Sequence, residues 1–202
     1  MRSDPEIKTA PLDLAGIILA GGSSSRMGQD KALLDYGNGP AVQSLIGQLN
    51  PLCAEVLVVS SRHHAGQFGN VRIIPDEQQG MGPLMGILSG LEAASNELCF
   101  VMGCDVPKVN IESIKRLYSD VLKADIAALS LKEGQIEPLY AVYRRSVRIQ
   151  ARTLLDAGKK RVQALFQSCR TVTVNLPESD WLVNVNTPAD FQQYMDKQLS
   201  SI

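Results

Sequence analysis

GIILAGGSSSRMGQDK, residues Gly16 to Lys31, decides how the rest of the chain is read. Gly16 to Ala20 is a short apolar run closed by two glycines, which is the pattern of a buried strand. Behind it come Gly21, Gly22, three serines, Arg26, Gly28 and Lys31. Glycines let a backbone turn tightly and approach a ligand closely. Their amides, with three hydroxyl groups beside them, can form a concavity that binds anions. Arg26 offers a planar fork to phosphate oxygens, and Lys31 a mobile point charge. The spacing is neither the G-x-x-x-x-G-K-[ST] of a Walker loop nor the dinucleotide G-x-G-x-x-G. An ordinary Gly/Ser loop with two surface cations would have the same composition. Its place directly after the first buried strand, with both Arg and Lys present, favours phosphate binding.

Strands and helices alternate outward from this stretch. Val42, Leu45, Ile46 and Leu49 have helical spacing, and Glu55–Ser60 and Val71–Ile74 read as strands. Pro83 opens a helix with Leu84, Ile87, Leu88 and Leu91 on one face. Leu98–Met102 is another buried strand, and Asn110 caps a helix carrying Ile111, Ile114, Leu117, Tyr118 and Val121. Asp125–Ser130 and Glu137–Tyr143 are strands around a turn at Lys132 to Gln135, so one strand runs against the rest. Helices over Val147–Ala157 and Arg161–Gln167 flank Gly158, a C-terminal stop. A strand at Thr171–Val174 and a helix from Pro188 complete the pattern. It predicts an α/β fold: a Rossmann-like three-layer sandwich with a mostly parallel central sheet and at least one antiparallel strand. Residues 1–13 are polar and read as a flexible extension, leaving one domain over 14–202.

The chain has 202 residues, 45% hydrophobic and 20% charged, enough for one sizeable core. A net charge of −1 lacks the basic excess of a nucleic-acid binder, so an anionic substrate must be met by locally placed cations and amides. No apolar run is long enough to span a bilayer, and the N-terminus lacks the apolar core of a signal peptide. Cys53, Cys99, Cys104 and Cys169 lack CxxC spacing and read as small buried residues, consistent with a reducing cytoplasmic compartment. His63 and His64 read as a surface loop.

In open α/β sheets ligands bind beyond the carboxyl ends of the strands. Asp105, in GCDVP after the Leu98–Met102 strand, can hold Mg²⁺ through oxygen or cap the next turn; the anion loop tips the reading toward the metal. Asp76 precedes a loop with Gly82 whose amides could contact a base or sugar, or could serve only to start the helix. Glu137 and Pro138 line an acceptor pocket or merely begin a strand. Thr187, Pro188 and Asp190 form a capping arrangement. Capping does not explain Asn184 and Asn186, which on an extended segment face the same side.

Taken in order, LAGGSSSRMGQDK, GPLMG, CDVP, EPLYAVY and NVNTP resemble the molybdenum cofactor guanylyltransferases, over about Gly16 to Tyr194. The resemblance implies a cytoplasmic enzyme that transfers GMP from GTP to Mo-molybdopterin and releases pyrophosphate. GTP, the pterin cofactor and Mg²⁺ are the implied ligands, with molybdoenzymes or cofactor-delivery proteins as further partners. Residue by residue, it places Leu19, Ala20, Gly21 and Gly22 at the nucleotide, Lys31 at the phosphates and Asp76 at the guanosine. Asp105 falls at Mg²⁺, Arg26 is the signature arginine, and Asn184 and Asn186 face the metal or the pterin. Gly158–Val162, with Arg161, resembles a basic turn that meets the acceptor's phosphate, although a solvated helix junction fits as well. One departure stands out: Val59, Ser60 and Ser61 occupy the end of the second strand, where the family can carry Asn. CTP-dependent cytidylyl transfer to molybdopterin, or nucleotidyl transfer to a sugar phosphate, are the neighbouring activities. A non-catalytic nucleotide or cofactor carrier is the alternative from another class. A phosphate-oxygen nucleophile, with a second pKa of roughly 6, is anionic at neutral pH and needs no strong general base.

Overall fold

The computed structural model describes residues 10–21, 30–37, 39–60, 64, 67–75, 82–131, 134–176 and 181–199. Seven strands form one sheet: β1 (Leu12–Leu19), β2 (Cys53–Ser60), β3 (Arg72–Pro75), β4 (Leu98–Gly103), β5 (Ile126–Ser130), β6 (Ile136–Arg144) and β7 (Thr171–Asn175). Their order is β3-β2-β1-β4-β6-β5-β7. All neighbouring pairs are parallel except those of β6, which is antiparallel to both β4 and β5. The reversed strand expected near Gly134 is therefore β6. The tight reversal before it is closed by the Leu131 N–H on the Gln135 carbonyl (2.6 Å).

The helices are α1 (Ala41–Leu49), α2 (Pro83–Ala93), α3 (Ile111–Val121), α4 (Val147–Asp156), α5 (Gln163–Ser168) and α6 (Pro188–Leu199). α1 and α3 bury their apolar stripes against one face of the sheet, on Ile18, Phe100, Met102 and Val142. α2, α4 and α5 cover the other face, on Ile17, Val59, Val101 and Ala141. The alternation of Ile17 with Ile18 is the period-2 rule of a strand buried on both sides. Local signals act as the sequence implies. Asn110 Oδ1 accepts from the Ser113 N–H (2.8 Å), Pro83 begins α2, and Gly158 has φ of 74° behind α4. The four cysteines are free, and three of them are buried.

Two expectations need correction. The extension assigned to residues 1–13 ends too late: Leu12 already pairs with Cys53 and donates its N–H to the Leu52 carbonyl (2.8 Å). Its apolar side chain packs against the core. His64 is not on the surface; it is 3% exposed, because both ring nitrogens find polar partners inside. No helix among the described residues is long and apolar enough to cross a membrane.

Candidate active site

The strand order turns at β1 and β4: β2 and β3 lie to one side, β6, β5 and β7 to the other. A crevice at such a switch point, beyond the carboxyl ends, is where open α/β sheets bind ligands. Leu19 pairs with Gly103 at these two ends, the Ala20 N–H donates to the Val59 carbonyl (2.8 Å), and the Cys104 N–H donates to the Leu19 carbonyl (3.1 Å). Leu19, Ala20 and Gly21 thus sit at the crevice beside Cys104 and Asp105. Gly22, Arg26 and Asp76 lie outside the described residues.

Past the glycine loop, Asp30 starts a 3-10 turn, Lys31–Leu33, and its Oδ1 accepts from the Ala32 N–H (3.2 Å). Ala32 is fully buried, so the turn is anchored in the core while Lys31 stays partly exposed. The Lys31 ammonium donates to Asn186 Oδ1 (2.7 Å), closing a sequence separation of 155 residues. Asn186 is held by the cap of α6: Asp190 Oδ2 accepts from the backbone N–H groups of Asn186 (3.0 Å) and Thr187 (2.8 Å), and the Asp190 N–H donates to Thr187 Oγ1 (3.2 Å). The Val185 N–H donates to the Asp105 carbonyl (2.8 Å), which brings the Asn184–Asn186 segment to the end of β4. α6 buries no residue of its own; Phe191 and Tyr194 pack instead on Leu34, Tyr36 and Val185, beside this junction.

Burial raises the pKa of Asp105, and the nearby Lys31 charge and a backbone N–H only partly offset it. A Cβ on Gly103 would run into Asp105 Oδ1, so the carboxylate folds over bare backbone that only glycine leaves open. Glu137 lies on the same edge. Burial raises its pKa and the Asp105 charge adds to the rise, while the Leu139 N–H (3.0 Å) and the Asn184 side chain oppose it. Pro138 has no N–H for the ladder, and the β5–β6 register shifts between Ala128 and Leu129, opposite this stretch. The bulge leaves Glu137 facing the crevice edge. Tyr140 turns the other way, buried in the core, with its hydroxyl accepting from the Asn110 N–H (3.0 Å).

Gly82 has φ of 76° and caps α2; a Cβ there would lie 3.6 Å from the Lys160 carbonyl. The basic turn through Lys159, Lys160 and Arg161, all exposed, therefore lies against the start of α2. Three residues that sequence reasoning missed join the site. Tyr36 has a buried hydroxyl with no partner among the described residues, and burial together with Cys104 and Asp105 drives its pKa up. His64 bonds to Asp30 (3.1 Å) and is itself bonded to Ser60 (3.1 Å).

Among the described residues, no three His, Cys, Asp or Glu side chains gather into a metal cluster. Asp105, with Glu137 on the same edge, supplies one or two hard oxygen donors. That suits Mg²⁺, which usually takes one or two carboxylates and completes its shell with water and substrate phosphates.

Gly21 after β1, Lys31 beyond it and Asp105 after β4 lie at the switch point of an α/β sheet, where this class of fold binds its ligands. The comparisons narrow the class. The MobA-like NTP transferase domain model matches residues 16–174. The chain is 35% identical to the "probable molybdenum cofactor guanylyltransferase" of Carboxydothermus hydrogenoformans, over 91% of this chain and 95% of that one. It is 34% identical to the protein of the same name from Peptoclostridium acidaminophilum, over 94% and 91%. The fold matches the crystal structure of molybdopterin-guanine dinucleotide biosynthesis protein A from Archaeoglobus fulgidus, with a TM-score of 0.79 and 20% identity, over 93% of this chain and all of that one. The chain belongs to the MobA-like NTP transferase family and is a nucleotidyltransferase.

Proposed function

We propose that this nucleotidyltransferase moves GMP from GTP to Mo-molybdopterin and releases pyrophosphate, in the cytoplasm and with Mg²⁺. The observation that carries the proposal is the convergence of Lys31, Asn186 and the half-buried Asp105 at the β1–β4 switch point. The names borne by the relatives support the choice of nucleotide and acceptor.

In the reaction, a terminal phosphate oxygen of the acceptor bonds to the α-phosphorus of GTP. The bond from that phosphorus to the α–β bridging oxygen breaks, and its electron pair leaves with pyrophosphate. Lys31 is placed to meet the phosphates, exchanging Asn186 Oδ1 for a phosphate oxygen. Asp105, with Glu137 as a second candidate, would hold the metal. When bound, Mg²⁺ supplies neutralisation of the triphosphate and orientation of its α-phosphorus. Leu19, Ala20, Gly21 and Gly82 supply backbone to the nucleotide side, and Arg161 and the asparagines to the acceptor side. Positioning and electrostatics suffice, because the acceptor oxygen is already anionic.

Purified protein given molybdopterin, Mg²⁺ and each labelled triphosphate in turn tests the proposal. GTP should be used strongly in preference to CTP and ATP, since a site whose polar groups are left unpaired rejects the wrong base. Equal turnover with CTP would overturn the guanylyl assignment.

A further inference from the structure

Ser60, His64 and Asp30 form a buried polar chain that the proposed reaction does not use. His64 Nε2 lies 3.1 Å from Asp30 Oδ2, and His64 Nδ1 lies 3.1 Å from Ser60 Oγ. An ionised carboxylate only accepts, so Nε2 carries the proton that Asp30 receives. Nδ1 then accepts from the Ser60 hydroxyl. The arrangement is not a hydrolytic triad, because Ser60 is itself buried, at 2% exposure. The imidazole is fixed further by the Phe68 ring, 5.1 Å away between centroids.

What the chain connects is specific. Ser60 ends β2, the neighbour of β1 in the sheet. Asp30 is the residue before Lys31, and its other oxygen caps the Lys31–Leu33 turn. One carboxylate therefore joins the sheet edge, through His64, to the backbone that carries Lys31. The Lys31 side chain is then met from the far side by Asn186. A long lysine side chain is a mobile cation, and its rate advantage depends on how firmly its backbone is placed.

We infer that His64 is a positioning residue for Lys31: it holds Asp30, and through Asp30 the turn that presents the lysine to phosphate. This rests on the reading of Lys31 as the phosphate contact.

The test uses the full chain and inorganic tripolyphosphate with Mg²⁺, so that neither the base nor the acceptor matters. Affinity is measured by calorimetry, and folding by circular dichroism and thermal unfolding. His64→Leu removes both hydrogen bonds and should weaken binding by about tenfold. His64→Gln keeps a donor at about the reach of Nε2 and should recover most of the loss. In a Lys31→Ala background His64→Leu should cost nothing more, since the residue it positions is gone. Should His64→Leu fail to fold, Asp30→Asn takes its place. It keeps the cap on Ala32 but turns a charge-assisted bond to His64 into a neutral one, and should show a smaller loss in the same direction and the same silence beside Lys31→Ala. Wild-type affinity in a folded variant would overturn the inference, as would an equal loss without Lys31. Tripolyphosphate that does not bind the wild-type protein, or binds Lys31→Ala as tightly, would overturn the reading of Lys31 as the phosphate contact and this inference with it.

Discussion

The two edges of the sheet spend their charges differently. At the edge where the parallel strands begin, Arg144 ends β6, Arg145 follows it, and the two serve helices on opposite faces. Arg144 donates to the carbonyls of Ala124 (2.8 Å), Leu122 (3.1 Å) and Val121 (3.3 Å) at the end of α3. Arg145 donates to Ala94 (3.0 Å) and Ser95 (3.5 Å), just past α2. These carbonyls lie at or just past helix C-termini, toward the negative end of the helix dipole, and that of Val121 also accepts from the Ala124 N–H (3.1 Å). Asp125 completes the pattern by accepting from the Arg170 N–H (2.9 Å). At the opposite edge, Asp105 and Glu137 are desolvated with both pKa values raised, and the Tyr36 hydroxyl has no partner among the described residues. One edge turns its cations to backbone carbonyls, although the Arg145 Nε there is also buried without a partner among the described residues. The other holds carboxylates largely out of water, at some expense in stability.

The sharpest way to break this contrast is Lys31→Ala. Losing one positioned electrostatic contact in the transition state should lower turnover by ~100-fold, on the order of 3 kcal/mol. The unfolding midpoint should hardly move, since the Lys31–Asn186 bond lies at an exposed site. Near-normal turnover would make Lys31 a surface charge. Asp105→Asn comes next. Asn keeps the shape but brings a neutral carbonyl, so the Mg²⁺ concentration needed for turnover should rise steeply. The ligand-free midpoint should hold or rise, because a desolvated carboxylate is removed. Early unfolding with an unchanged Mg²⁺ curve would move Asp105 to the structural edge.

Arg144→Ala should show the reverse. Three carbonyls lose a charged donor, and stability should fall by about 2 kcal/mol by denaturant titration. Activity per folded molecule should be kept. The smallest effect belongs to Asp125. The Arg170 N–H and guanidinium hold its pKa below the ordinary value of 3.8. A carboxyl lowered on folding stabilises above its unfolded pKa, and that stability is lost as pH falls through the folded value. Asp125→Asn should therefore slightly flatten the loss of stability below about pH 4, measured as the midpoint against pH. An unchanged acid limb would remove Asp125 from the stabilising edge.

The fold was legible because its signals are local. Buried runs such as Leu98–Met102 admit little but a strand, and the caps at Asn110 and Thr187 are made within three residues. Asp105 was legible through its position after a strand. The pairing of Lys31 with Asn186 was not, since it depends on the α6 cap meeting the end of β4 through Val185. His64 was misread for the same reason. Nothing near two adjacent histidines marks one as buried, and its Asp30 partner comes from the loop after β1, 34 residues away. Tyr36 carries no motif; its position follows from where Phe191 and Tyr194 pack.

The most direct test of the division between the edges is a crystal structure with a non-hydrolysable GTP analogue and Mg²⁺. Lys31 Nζ should leave Asn186 Oδ1 for a phosphate oxygen. Density for a metal should appear at Asp105, with guanine beside the crevice at the ends of β1 and β2. Nucleotide bound elsewhere, or bound here with Lys31 still on Asn186 and no metal at Asp105, would contradict the account.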